Sequence, residues 1–131
     1  MAVDLPCAKK SLARARHKVL KFAGEHGFAG EAEDVALATQ EALKNIIQHA
    51  CPADNNMHIE CRVTDDTIAV DISDEGHGFD VSALGEDHQE PLALHGRGIK
   101  LMKGLMDEVS IVSDEEGTAV HMEKKRSAHG P

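Results

Sequence analysis

The stretch EALKNIIQHA, residues 41–50, sets polar side chains into an otherwise apolar helical pattern. Glu41, Asn45 and His49 stand four residues apart. Steps of four advance about 400° around a helix, so the three form one slowly drifting stripe. Around them Val35, Ala38, Ala42, Leu43 and Ile46 recur at helical spacing. The stripe flanks the apolar face instead of opposing it, which puts it where a core meets a cleft. Asn45 offers a neutral carbonyl oxygen of the kind that suits a magnesium ion keeping several waters. Glu41, one turn away, could accept a proton from an attacking hydroxyl or water. Taken alone, the same stripe also reads as an exposed polar face.

Working outward, the helix is expected to run from Glu31 to His49. Before it, Val3 to Leu5 reads as a short strand stopped by Pro6. Lys9 to Glu25 reads as an amphipathic helix ended by Gly24 and Gly27. After it, Pro52, Asp54, Asn55 and Asn56 mark a loop. His58–Val63 and Thr67–Ile72, separated by Asp65 and Asp66, read as a hairpin. A short helix is expected over Gly98–Met106. Val109–Val112 and Thr118–Met122 read as two closing strands joined by residues 114–117. Lys124 to Pro131 is expected to be a frayed tail, disordered over 125–131. The order of strand, two helices, hairpin, loop, helix and hairpin implies one α+β domain over 1–131. It would be a two-layer sandwich with a mostly antiparallel sheet and helices on one face.

Two further segments carry chemistry. DEGHGFD, residues 74–80, follows a buried strand. Asp74 at a strand end can accept a hydrogen bond from an exocyclic amine such as that of adenine. Gly76 and Gly78 permit close backbone approach to a flat ring. HGRGIKLM, residues 95–102, opens the short helix. Gly96 and Gly98 before a helix leave backbone N–H groups facing one point, which favours phosphate. Arg97, Lys100 and Lys103 concentrate positive charge there. The intervening segment, about 81–95, has no apolar period and is expected to be a lid.

Composition narrows the options. The net charge is −9, with 14 Lys and Arg against 23 Asp and Glu. A diffuse acidic surface argues against general nucleic-acid binding, so no direct nucleic-acid partner is expected. An anionic nucleotide would need local help from a cation, a helix N-terminus or a basic patch. No apolar run reaches membrane-spanning length, so no membrane partner is expected. Cys7, Cys51 and Cys61 are scattered, without zinc-like spacing, and read as thiols of a reducing compartment. No Walker loop and no dinucleotide fingerprint is present.

Together the three segments resemble the Asn box and the two glycine boxes of the GHKL (Bergerat-fold) ATPases. LMDEV at 105–109 and EEGTAVHME at 115–123 continue the likeness, which runs from about Leu5 to Lys124. The wording of the boxes is similar to that of bacterial anti-sigma-factor serine/threonine kinases of the RsbW/SpoIIAB type. The resemblance implies ATP and Mg²⁺ as cofactors, with Asn45 as the metal residue and Glu41 as the catalytic base. It implies Asp74 at the adenine amine, Gly76 and Gly78 along the base, and Gly96, Arg97 and Gly98 by the phosphates. Thr118 would sit near the adenine, and Arg16 where such proteins meet partners.

The implied function is a cytoplasmic kinase that phosphorylates an anti-anti-sigma factor (a STAS-type antagonist) on serine. It would also sequester a sigma factor. Two alternatives stay open: a non-catalytic ATP-dependent binding switch, and a histidine-kinase-like ATPase domain. The latter would need an upstream helix pair bearing a phospho-acceptor His, and nothing before residue 8 offers one. Family members dimerise through their sheet side, so a homodimer is a further alternative. Lys44 departs from the family pattern, which has a small residue or Thr there, and is expected simply to face solvent.

Overall fold

The computed structural model describes residues 1–49, 56–74, 98–114 and 117–126. Its elements are β1 (Ala2–Pro6), α1 (Lys10–Glu25), α2 (Ala32–His49), β2 (Asn56–Val63) and β3 (Thr67–Asp74). A further helix, α3, covers residues 98–105. β4 (Glu108–Asp114) and β5 (Gly117–Lys125) complete the sheet. All neighbours pair antiparallel, in the order β1-β2-β3-β5-β4. The fold is thus the expected α+β arrangement.

Strand alternation explains the layering. Met57, Ile59 and Cys61 on β2, Ile68, Val70 and Ile72 on β3, and Val120 and Met122 on β5 are all buried. Successive side chains of a strand point to opposite faces, so these residues line one face. Against it lie Ala15, Val19 and Ala23 of α1, and Val35, Ala38, Ala42, Leu43 and Ile46 of α2. Among the described residues the core is mainly aliphatic, with Phe28 as its one fully buried ring. At the turn into α1, the Ser11 hydroxyl donates to the Pro6 carbonyl at 2.6 Å. That bond ties the end of β1 to the first helical turn.

The expected tail needs correction. Lys124 and Lys125 belong to β5. The Lys124 ammonium donates to the Leu105 carbonyl at 2.6 Å and lies 3.4 Å from Asp34. It thereby holds the last turn of α3, where an ammonium satisfies an orphan carbonyl and the helix dipole. Arg126 follows, its backbone N–H on the Asp66 carbonyl and its guanidinium 4.5 Å over the Phe28 ring. These contacts bind a segment whose composition alone looked like solvent-exposed chain. Residues 127–131 of the expected tail lie outside the described residues.

The reading of three thiols also needs correction. Cys7 is buried and disulfide-bonded. Cys61 is a buried free thiol, and burial pushes its pKa up to about 12.

Candidate functional site

The polar stripe of α2 and the start of α3 meet. A Cβ placed on Gly98 would stand 3.4 Å from Asn45 Nδ2 and 3.5 Å from Oδ1. Residues 53 positions apart are thus in contact, and the lack of a side chain at Gly98 leaves room beside the amide. Asn45 is half-buried, presenting a neutral oxygen at the rim of the core. Its donor chemistry suits Mg²⁺, which takes few protein ligands and keeps its waters.

One turn earlier, Glu41 is largely covered by its surroundings, with 17% of its side chain exposed. Its Oε2 lies 3.5 Å from Lys44 Nζ. Lys44 therefore does not merely face solvent as expected. It sets a positive charge beside the carboxylate, a neighbour that single-residue reading missed. The i,i+3 spacing was the available signal, since such pairs adjoin on a helix. His49 closes α2, and its side chain lies outside the description.

A second meeting occurs at the end of β3. Asp74 is buried, with 7% exposure, and Thr118 is buried with 3%. Ser73 pairs with Ala119, so the next step along β3 brings Asp74 to the start of β5. Gly117 there has φ +139°, and a Cβ on it would run into the Asp74 carbonyl. Only glycine fits that approach. Gly117 therefore belongs to this junction as much as the expected Thr118 does, and its place just before Thr118 in EEGTAVHME is the signal for it in the sequence.

Other expected residues separate from this cluster or fall outside view. Lys100 and Lys103 are exposed on α3. Gly76, Gly78, Gly96 and Arg97, with the expected lid, lie outside the described residues. Arg16 is exposed on α1 and pairs with Glu33 at 3.2 Å. It lines a shallow groove of about 460 Å³ between α1 and α2, together with Leu12, His17 and Gln40. No helix among the described residues is long and apolar enough to cross a membrane.

Comparison with known proteins gives this cluster its family. Residues 5–124 match the family described as Histidine kinase-like ATPase domain. The chain belongs to the histidine kinase-like ATPase family. Among these ATPases it is similar to the serine-protein kinase RsbW of Listeria innocua, at 31% identity over 95% of this chain and 85% of the relative. The RsbW kinase of Bacillus subtilis is 36% identical over 72% of this chain and 64% of its own length. The solved RsbU and RsbW domains of a Mycobacterium tuberculosis protein superpose with TM-score 0.67 at 14% identity, over 98% of this chain and 34% of theirs. A histidine kinase domain from Erythrobacter litoralis superposes with TM-score 0.60 at 20% identity, over 93% of this chain and 62% of its own. At those identities the solved structures speak for the ATPase fold alone. The RsbW likeness agrees with the resemblance drawn from the boxes.

Proposed function

We propose that this chain is an ATP-dependent serine/threonine protein kinase that phosphorylates an anti-anti-sigma factor and, in alternation, sequesters a sigma factor. What supports the reading is the contact of Asn45 with Gly98, one helical turn from Glu41. It sets a neutral metal donor beside the start of a helix, with Glu41 one helical turn earlier on the same stripe. The RsbW relatives carry the substrate class by their name, serine-protein kinase.

In this reading Asp74 accepts from the adenine amine, with Thr118 beside it. Gly76 and Gly78 line the base, and Gly96, Arg97 and Gly98 border the phosphates. Asn45 would hold Mg²⁺, which when bound offsets the charge of the phosphate oxygens. Glu41 accepts the proton of the antagonist's serine hydroxyl. The serine Oγ–P bond forms while the bond from the γ-phosphorus to the ADP oxygen breaks, and ADP leaves. Most of the rate comes from alignment and charge neutralisation, as for phosphoryl transfer generally. Arg16, on its exposed groove, contacts the protein partner. The disulfide at Cys7 is uncommon in a reducing compartment, and the need for ATP is what supports a cytoplasmic place.

The test combines titration with transfer. Wild type should bind ATP in the presence of Mg²⁺, weaken on Asp74→Asn, and move label from [γ-³²P]ATP to a serine of a STAS-type antagonist. Binding without transfer would leave a nucleotide-dependent switch in place of a kinase. Absence of binding would overturn both readings.

A further inference from the structure

The sheet has a second face, away from the helices, and its charged side chains are ordered. Strand register brings Asp71 of β3, His121 of β5 and Ser110 of β4 into one row. In the next row Glu123 of β5 and Glu108 of β4 stand directly opposite each other. Two carboxylates opposed across neighbouring strands repel, so this pairing calls for a cation between them. His121 reaches into it. Its Nε2 lies 2.7 Å from Glu123 Oε2, and its Nδ1 donates to Asp71 Oδ1 at 2.6 Å. Arg62 of β2 pairs with the other oxygen of Asp71 and fixes that carboxylate in turn.

One ligand atom each of Glu108, His121 and Glu123 lies within 4.8 Å of the other two. We infer that Glu108, His121 and Glu123 form a surface site for a divalent transition-metal ion such as Zn²⁺, separate from the nucleotide site. The donor set is one imidazole nitrogen and two carboxylate oxygens, with water completing the sphere. Imidazole suits zinc, nickel and cobalt, whereas Mg²⁺ and Ca²⁺ prefer oxygen alone. Asp71 holds the far ring nitrogen, which leaves Nε2 directed at the carboxylates. That carboxylate–histidine–metal order recurs in zinc proteins, where it fixes the tautomer and the ring. On binding, the proton on Nε2 passes to solvent and the metal takes its place. Ligand atoms on a tetrahedral Zn²⁺ lie about 3.3 Å apart, so the pair at 2.7 Å must open slightly. Glu123 is 38% exposed and has that freedom.

The site would clip edge strand β4 to β5 just after the end of α3. It does not depend on the kinase reading, because none of its residues belongs to the nucleotide cluster.

The experiment is calorimetric titration of chelator-stripped protein with Zn²⁺ at pH 7.5, for wild type, His121→Ala and Glu108→Gln. Wild type should show a saturable site of micromolar affinity or better, and its melting temperature should rise with Zn²⁺. Both variants should bind at least ten-fold more weakly and lose that rise. Glu108→Gln keeps the His121 hydrogen bonds, so it decides the matter should His121→Ala fold poorly. ATP affinity should be unchanged in Glu108→Gln. Wild-type zinc affinity in Glu108→Gln, or no saturable binding in the wild type, would overturn the inference. In either case protonated His121 would itself be the cation between the carboxylates.

Discussion

The Asn45 side chain stands 3.4 Å from the point that a Cβ on Gly98 would occupy. That distance is ordinary van der Waals contact, so a methyl group fits and a branched side chain does not. Gly98→Ala should fold with a melting temperature close to wild type and bind ATP within a few-fold. Gly98→Val should displace the Asn45 amide and weaken Mg²⁺-dependent ATP binding by more than ten-fold. Calorimetric titration of the two variants checks both, and Asn45→Ala should abolish the Mg²⁺ dependence.

Glu41 and Lys44 separate chemistry from support. Glu41→Ala should leave ATP affinity intact and lower phosphoryl transfer by about 10²–10⁴-fold, the usual contribution of a general base. Lys44→Ala should lower it by less than ten-fold, since a half-exposed ion pair contributes little. Single-turnover transfer rates distinguish the two. Equal losses would mean that Lys44 acts on the phosphate directly.

Gly117 tests the approach of β5 to Asp74. Its φ of +139° is strained for any side chain, and a Cβ would also run into the Asp74 carbonyl. Gly117→Ala should cost about 2 kcal/mol or more. For a domain of this size that lowers the melting temperature by about 8 °C. Thermal unfolding with and without ATP would reveal whether nucleotide restores part of the loss.

The Cys61 thiol, with a pKa pushed up to about 12 by burial, should resist alkylation in the native protein at pH 8. Thiolate is the nucleophile, and both burial and protonation withhold it. Mass spectrometry after iodoacetamide treatment should find Cys61 labelled only once denaturant is added.

His121 gives the sheet a pH dependence. Hydrogen bonds to Glu123 and then Asp71 hold its pKa above the ordinary value. Glu108, on β4, adds a further facing carboxylate, while Arg62, on β2, shares Asp71. A pKa raised by folding stabilises the protein fully below the unfolded value of about 6.5. The contribution is lost as pH rises through the folded pKa. In chelator, the melting temperature of wild type should therefore fall with rising pH over that window relative to His121→Ala.

Local patterns in the sequence made the element order legible and supplied the residue types of the candidate site. Helical spacing around Glu41 and Asn45, alternation in β2 and β3, and the glycine-bearing boxes are local patterns. They follow from the 3.6 and 2.0 residue periods of helix and strand. Tertiary structure alone decided which of these patterns meet. Asn45 finds Gly98, Asp74 finds Gly117, and Lys124 leaves an expected tail to hold Leu105. Such contacts join residues from 19 to 53 positions apart, and packing sets them. The same holds for the outer face of the sheet. Asp71, His121, Glu123 and Glu108 are unremarkable letters in sequence, and only the register of three strands makes them neighbours.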